Sequence, residues 1–227
     1  MFLKKWLLPL LIGLMAVLYI FIIPKEPLAL AIVFKLIPMA LIIVYAFRKL
    51  PANPVPALRL IIIGLFFCML GDGFIAVSFV AGLGAFLVGH LFYLTGFLKM
   101  SLINKVRLAA ILPIALYSFF IGRQLIASLL TEGNEPLVIP VVAYILVISL
   151  MALSAILTGN IWATIGSILF VISDSILSWN MFVSGIAYSD VFIMTTYYSA
   201  QFLIASSLSS IGNTARHAGG KSIANPI

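Results

Sequence analysis

Three ionisable side chains interrupt otherwise apolar stretches: Lys35, Asp72 in Leu70-Gly-Asp-Gly-Phe74, and Asp174 in Val171-Ile-Ser-Asp-Ser-Ile176. At the centre of a lipid-embedded helix each costs about 2.5–3.5 kcal/mol even on the lenient insertion scale. Each is therefore expected to face a bundle interior and find a partner. Two carboxyl groups and a cation are the parts of an acid–base site, of a proton or ion relay, or of a salt bridge that only pins helices together. His90 and Tyr93, three apart, share one helical face. Tyr197, Tyr198 and Gln201 form a second polar stripe. Taken singly, these residues have plainer readings: a buried histidine is usually an interhelical hydrogen bond, and a tyrosine near an interface is usually a belt residue.

The elements that must position these groups follow from composition. Of 227 residues, 64% are hydrophobic and only 8% charged, and the mean hydropathy is +1.26. Soluble domains carry roughly 25% charged residues, so the expected class is an all-α integral membrane protein forming one domain over 1–227. The net charge of +7 lies in short inter-helix segments, which reads as topology rather than nucleic-acid binding. Cys68 stands alone, so no disulfide and no cysteine metal site is expected. The N-terminal Lys4-Lys5-Trp6 and its apolar stretch resemble a signal peptide without a small-residue cleavage site, and read as an uncleaved first span.

With about 20 apolar residues per crossing, eight spans are expected, at about 5–23, 28–47, 57–78, 84–100, 107–128, 137–157, 160–183 and 190–211, with a tail at 212–227. Gly82-Leu-Gly84 is the expected break between spans three and four, and Thr158-Gly-Asn160 between six and seven. Alternating the loops puts Lys4, Lys5, Arg48, Lys49, Arg59, Lys99, Lys105, Arg107, Arg216 and Lys221 on one side, leaving Lys25 and Arg123 opposite. That asymmetry predicts both termini in the cytoplasm. Gly64 and Asp72 in span three match Gly166 and Asp174 in span seven, with seven residues between each pair. A four-plus-four internal repeat would place two parallel helices in this relation. Depth then unites the polar groups: Lys35 lies about seven residues, or roughly 10 Å, inside the outer face, and Asp72, His90, Asp174, Tyr197 and Tyr198 fall in the same outer half. One cavity lined by these residues is the expectation.

No HExxH, Cys/His cluster, G-x-S-x-G elbow or P-loop is present. Two intramembrane aspartates invite comparison with aspartyl intramembrane proteases, but Asp72 lacks the full GxGD setting and no YD or PALP motif occurs. By contrast, Gly71-Asp-Gly-Phe74, Gly82-Leu-Gly-Ala-Phe86 and Gly89-His-Leu-Phe-Tyr93 resemble the YhhN-type lysoplasmalogenase family. Gly166-x3-Phe170-x2-Ser173-Asp174 and Thr196-Tyr-Tyr-x2-Gln201 do so as well, and the resemblance runs from about 30 to 210. Lys35 and Pro38, separated by Leu36-Ile37, look like the family's Lys-Pro feature.

That resemblance implies an eight-helix hydrolase that cleaves the vinyl ether bond of lysoplasmalogens, releasing a fatty aldehyde and glycerophosphoethanolamine or glycerophosphocholine. Such hydrolysis begins with protonation of the alkene carbon. It asks for one carboxylic acid that holds its proton and one carboxylate that stabilises the cation or activates water. Burial and a neighbouring cation can split two carboxyl groups into those roles. Asp72 and Asp174 are the implied pair, Lys35 the cation, and His90 a further catalytic candidate; which aspartate is the acid stays open. Tyr93, Tyr197, Tyr198 and Gln201 are candidate substrate contacts, and the scheme asks for no metal or cofactor. Arg123, with Gln124 near the outer end of span five, is a candidate for the substrate phosphate, since its planar fork suits phosphate oxygens; ordinary snorkelling is the alternative. Two other classes remain open: a proton- or ion-coupled transporter using the Lys/Asp cluster, and a structural membrane protein. The compact loops suggest a bacterial inner membrane, while oligomeric state cannot be read.

Overall fold

In lipid an apolar run satisfies its own backbone polar groups as a helix, and every extended element described here is helical. The computed structural model describes residues 2–102 and 104–221, with side chains over 6–102 and 104–211. The side chains of Lys4, Lys5, Arg216 and Lys221, and residues 222–227 of the expected tail, lie outside the described residues. The helices are α1 (Phe2–Phe21), α2 (Leu28–Lys49), α3 (Pro56–Phe74), α4 (Phe79–Leu98), α5 (Lys105–Leu108), α6 (Ile111–Thr131), α7 (Val138–Leu157), α8 (Ile161–Phe182) and α9 (Ser189–Lys221). Seven segments are long and apolar enough to cross a membrane: α2, α3, α4, α5 with α6, α7 with its preceding 3-10 turn, α8, and α9 as far as Ile211. The apolar stretch Trp6–Phe21 of α1 is shorter.

Helix ends follow local chemistry. Pro56 opens α3, where its missing N–H costs nothing. Asn160 caps α8 by accepting from the amides of Trp162 and Ala163 at 3.0 and 3.1 Å. Gly159 turns the chain just before it at φ +69, a conformation that favours glycine, so the break expected at 158–160 lies between α7 and α8. The break expected at Gly82-Leu-Gly84 does not lie there. The chain turns at 75–78, Ser78 caps α4 through the Ala81 amide at 3.4 Å, and Gly82 sits inside α4. The glycine serves packing, because a Cβ on it would lie 2.6 Å from Ile75 Cβ. Asp72 thereby falls in the last turn of α3 and His90 in the middle of α4.

Small residues let helices approach closely. A Cβ on Gly64 would lie 3.0 Å from the Gly89 carbonyl oxygen, and one on Gly166 2.9 Å from that of Ala200. These contacts are where α3 packs along α4 and α8 along α9, the two most extensive helix pairs. α7 packs on both α4 and α8, and α2 on both α3 and α9, which joins the two pairs into one bundle. Lys25 in the α1–α2 connection bridges to Asp190 in α9 at 3.0 Å, which defines one end of the bundle, here the Lys25 end. At the opposite, Arg107 end, the Leu102 amide donates to the Leu157 carbonyl at 3.1 Å.

Candidate active site

The polar residues expected in one layer form two separate groups. In the first, Lys35 Nζ lies 3.4 Å from Asp72 Oδ1, and the Tyr197 hydroxyl donates to Asp72 Oδ2 at 2.6 Å. Asp72, on α3, is only 2% exposed. Pro38 removes the amide that would have met the Phe34 carbonyl, and the Tyr198 hydroxyl donates to the adjacent Lys35 carbonyl at 2.7 Å. The adjacent tyrosines of α9 thus have different partners: one holds the carboxylate, the other the backbone under the cation. Tyr19 of α1 covers this group, its ring 6.2 Å from that of Tyr198. Both charges have partners and both carboxylate oxygens are engaged, which is the condition for enclosing an ion pair.

The second group surrounds Asp174 on α8. Tyr144 of α7 donates its hydroxyl to Asp174 Oδ2, and among the described residues no cation pairs with this carboxyl group. Asp174 is half-buried because it lines a cleft between α4, α6, α7 and α8. The cleft, including its open mouth, encloses about 710 Å³, and its walls are almost wholly apolar, among them Phe86, Leu125, Ile148 and Leu177. At the Lys25 end it is closed by Leu125, Leu129, Val141 and Phe182, with the Phe79 and Phe182 rings 5.2 Å apart. Tyr117, also in its wall, is 40% exposed.

Aromatic packing divides the two groups. The Phe86, Phe170 and Tyr197 rings meet edge to face at 5.4–6.4 Å, and His90 packs on Phe170 at 4.5 Å and on Tyr144 at 5.3 Å. The expectation of one cavity lined by Lys35, Asp72, His90, Asp174 and the tyrosines is corrected accordingly: Asp174 alone of these lines the cleft. Depth is shared, but the centre at that depth is filled with rings. His90 donates from Nδ1 to the Phe86 carbonyl at 2.7 Å, since a carbonyl only accepts. Tyr93 donates to Gln201 Oε1 at 2.6 Å. His90 Nε2 and Gln201 Nε2 are buried without a hydrogen-bond partner among the described residues. Arg123 is exposed on α6 and lines a different groove, against α7. No group of three or more His, Cys, Asp or Glu side chains comes together among the described residues.

Tyr144 is the residue that the sequence reading missed. It lies seven residues into its expected span from the same side as Lys35, so the depth rule applied to the charged residues would have found it. As a lone tyrosine in an apolar helix it carried no signal of its own.

The arrangement offers a carboxyl group with one donor partner and, among the described residues, no counter-cation, set in the wall of an apolar cleft. The profile of the YhhN family matches residues 30–208 of this chain. Lysoplasmalogenase TMEM86B of Mus musculus is 28% identical over 208 residues, which are 88% of this chain and 85% of the relative. TMEM86B of Homo sapiens is 35% identical over 128 residues, 56% of this chain and 52% of the relative. A lysoplasmalogenase of Mycobacterium bovis is 32% identical over 149 residues, 59% of this chain and 54% of the relative. With the last two, the match therefore spans about half of the relative's length. No solved structure matches.

Proposed function

Because the chain belongs to the YhhN family, we propose that it is an intramembrane hydrolase cleaving the vinyl ether bond of lysoplasmalogens, with Asp174 as the acid. One observation carries the reading: Asp174, held by Tyr144 and paired with no cation among the described residues, faces an apolar cleft between helices. Its apolar walls suit the chain of a single-chain lipid.

The reaction runs in three steps. Protonated Asp174 gives its proton to the alkene carbon remote from oxygen, leaving an oxocarbenium ion beside the new Asp174 carboxylate. Water attacks the cationic carbon and yields its proton to that carboxylate, forming a hemiacetal. The hemiacetal C–O bond to glycerol then breaks; the hydroxyl proton leaves and the glycerol oxygen is protonated, so the products are fatty aldehyde and glycerophospho-base. One carboxyl group thus serves as acid and then base. Asp72, engaged by Lys35 and Tyr197, lies across the aromatic block, where its ion pair ties α2, α3 and α9 together. The packing of His90 between Phe170 and Tyr144 makes it a positioning residue for Tyr144, and Gln201 holds Tyr93 behind it.

Purified protein given a lysoplasmalogen and its saturated-ether analogue tests the reaction. Aldehyde is expected from the first only, and aldehyde from neither removes the reading. A transporter has no observation of its own in its favour, since the Lys35–Asp72 pair is enclosed rather than set along a channel.

The same reading takes 1–227 as one domain of eight spans, with α1 as the first, both termini cytoplasmic, a tail at 212–227, and a bacterial inner membrane as its setting. The loop-charge asymmetry and the compact loops support it. Four-plus-four duplication is supported by matching contacts: α3–α4 with α8–α9, α4–α7 with α9–α2, and α1–α2 with α6–α7.

A further inference from the structure

Arg123 is a cation within the apolar length of α6 that forms no ion pair among the described residues. Such a residue is stabilised where an anion or water meets it. It lines a groove between α6 and α7 enclosing about 920 Å³ with its open side. Ser118, Gly122 and Ala127 keep the α6 wall of that groove low. A Cβ on Gly122 would meet only Ile145 Cδ1, at 3.4 Å.

Two residues tie this groove to the catalytic cleft. Ser118 and Ile145 line both spaces, and the wall between them is the α6–α7 seam, where the Ser118 and Ser149 hydroxyls bond at 2.7 Å. Little of the segment formed by α5 and α6 is buried against the rest of the bundle. The helix register also has the right sense. Ser128 of α6 donates to the Phe182 carbonyl of α8, which levels the two helices. Counting back to Arg123 and to Asp174 at 1.5 Å per residue puts the Arg123 backbone about 4–5 Å nearer the Lys25 end than that of Asp174. In a lysoplasmalogen the phosphate likewise lies on the head-group side of the vinyl ether, one glycerol away.

We propose that the Arg123 groove binds the phosphate of a lysophospholipid whose chain crosses the α6–α7 seam at Ser118 and lies in the Asp174 cleft. The inference rests on the reading of the cleft as a lysolipid site. The chemistry recognised is a phosphate monoanion in a diester, met by the guanidinium fork. Two sources carry that group, the substrate and the surrounding diacyl phospholipid, and binding measurements separate them.

The test uses the full chain in maltoside micelles free of phospholipid. The ligands are a saturated-ether lysophospholipid, which is not turned over, and the phosphate-free 1-alkylglycerol of the same chain length. Wild type is expected to bind the first more tightly. Arg123→Gln should shrink that preference about tenfold, the loss of one charge-assisted contact. Gly122→Leu, which fills the groove but keeps the charge, should shrink it as well. A preference unchanged in both variants overturns the proposal. Diacyl phospholipid should compete poorly, because a second chain has no place in the cleft; competition equal to that of the lysolipid assigns the groove to bulk lipid and also overturns it. These are binding readouts, so failure of the phosphate site is distinguishable from failure of the hydrolysis itself.

Discussion

Replacing Tyr144 by phenylalanine removes one hydroxyl and keeps the ring that packs on His90 at 5.3 Å. The hydroxyl donates to Asp174 Oδ2, and its worth changes during the reaction. While Asp174 holds its proton, the bond joins two neutral groups and contributes about 0.5–1.5 kcal/mol. Once the proton has moved to the alkene, the acceptor is a carboxylate and the bond contributes about 1.5–3 kcal/mol. The difference, about 1–1.5 kcal/mol, belongs to the transition state and not to substrate binding. Tyr144→Phe is therefore expected to lower kcat about tenfold with little change in KM. Asp174→Asn removes the acid itself and should lower kcat about 10²–10⁴-fold. Aldehyde release coupled to NADH oxidation by an added aldehyde reductase gives kcat and KM separately. A Tyr144→Phe kcat within twofold of wild type, or a loss confined to KM, refutes the assignment of Asp174 as the proton donor.

Three other outcomes follow from the same geometry. Removing one partner of the enclosed Lys35–Asp72 pair leaves an uncompensated charge, so Lys35→Met should destabilise the protein by about 3–5 kcal/mol, while Lys35→Met with Asp72→Asn regains most of it; thermal unfolding in detergent measures both, and a double variant as unstable as the single one contradicts the pairing. Gly64→Ala forces a Cβ to within 2.5 Å of the Tyr93 ring and should cost about 1–3 kcal/mol, whereas Gly84→Ala, with nothing within 4 Å, should leave the melting temperature unchanged. For topology, cysteines placed at Ser184 and at Asn104 are expected to label from opposite faces of a sealed vesicle, and labelling of both from one face sinks the eight-span reading.

Much of the molecule is legible in its residues, for reasons that are local. Helices follow because apolar stretches of this length in lipid have no other way to satisfy their backbone, and the turn at 158–160 follows from Gly159 and Asn160. The break between α3 and α4 was misread because glycine carries two signals, a turn or a close approach. Gly82 turned out to pack against Ile75, while Ser78 made the cap.

Lys35, Asp72 and Asp174 are also singled out by sequence alone, since a charge among apolar residues must find a partner wherever the fold supplies one. Which partner is a matter of three dimensions. Asp72 takes Lys35 and a tyrosine 125 residues away, Asp174 takes Tyr144, and nothing in either aspartate's neighbourhood in the chain distinguishes them. Depth within a span constrains position along the membrane normal but not around the bundle. The rings of Phe86, Phe170, His90 and Tyr197 occupy the space where one shared cavity was expected. Only the packing of α4, α6, α7 and α8 left Asp174 facing an open cleft while α1 and α9 sealed Asp72 away.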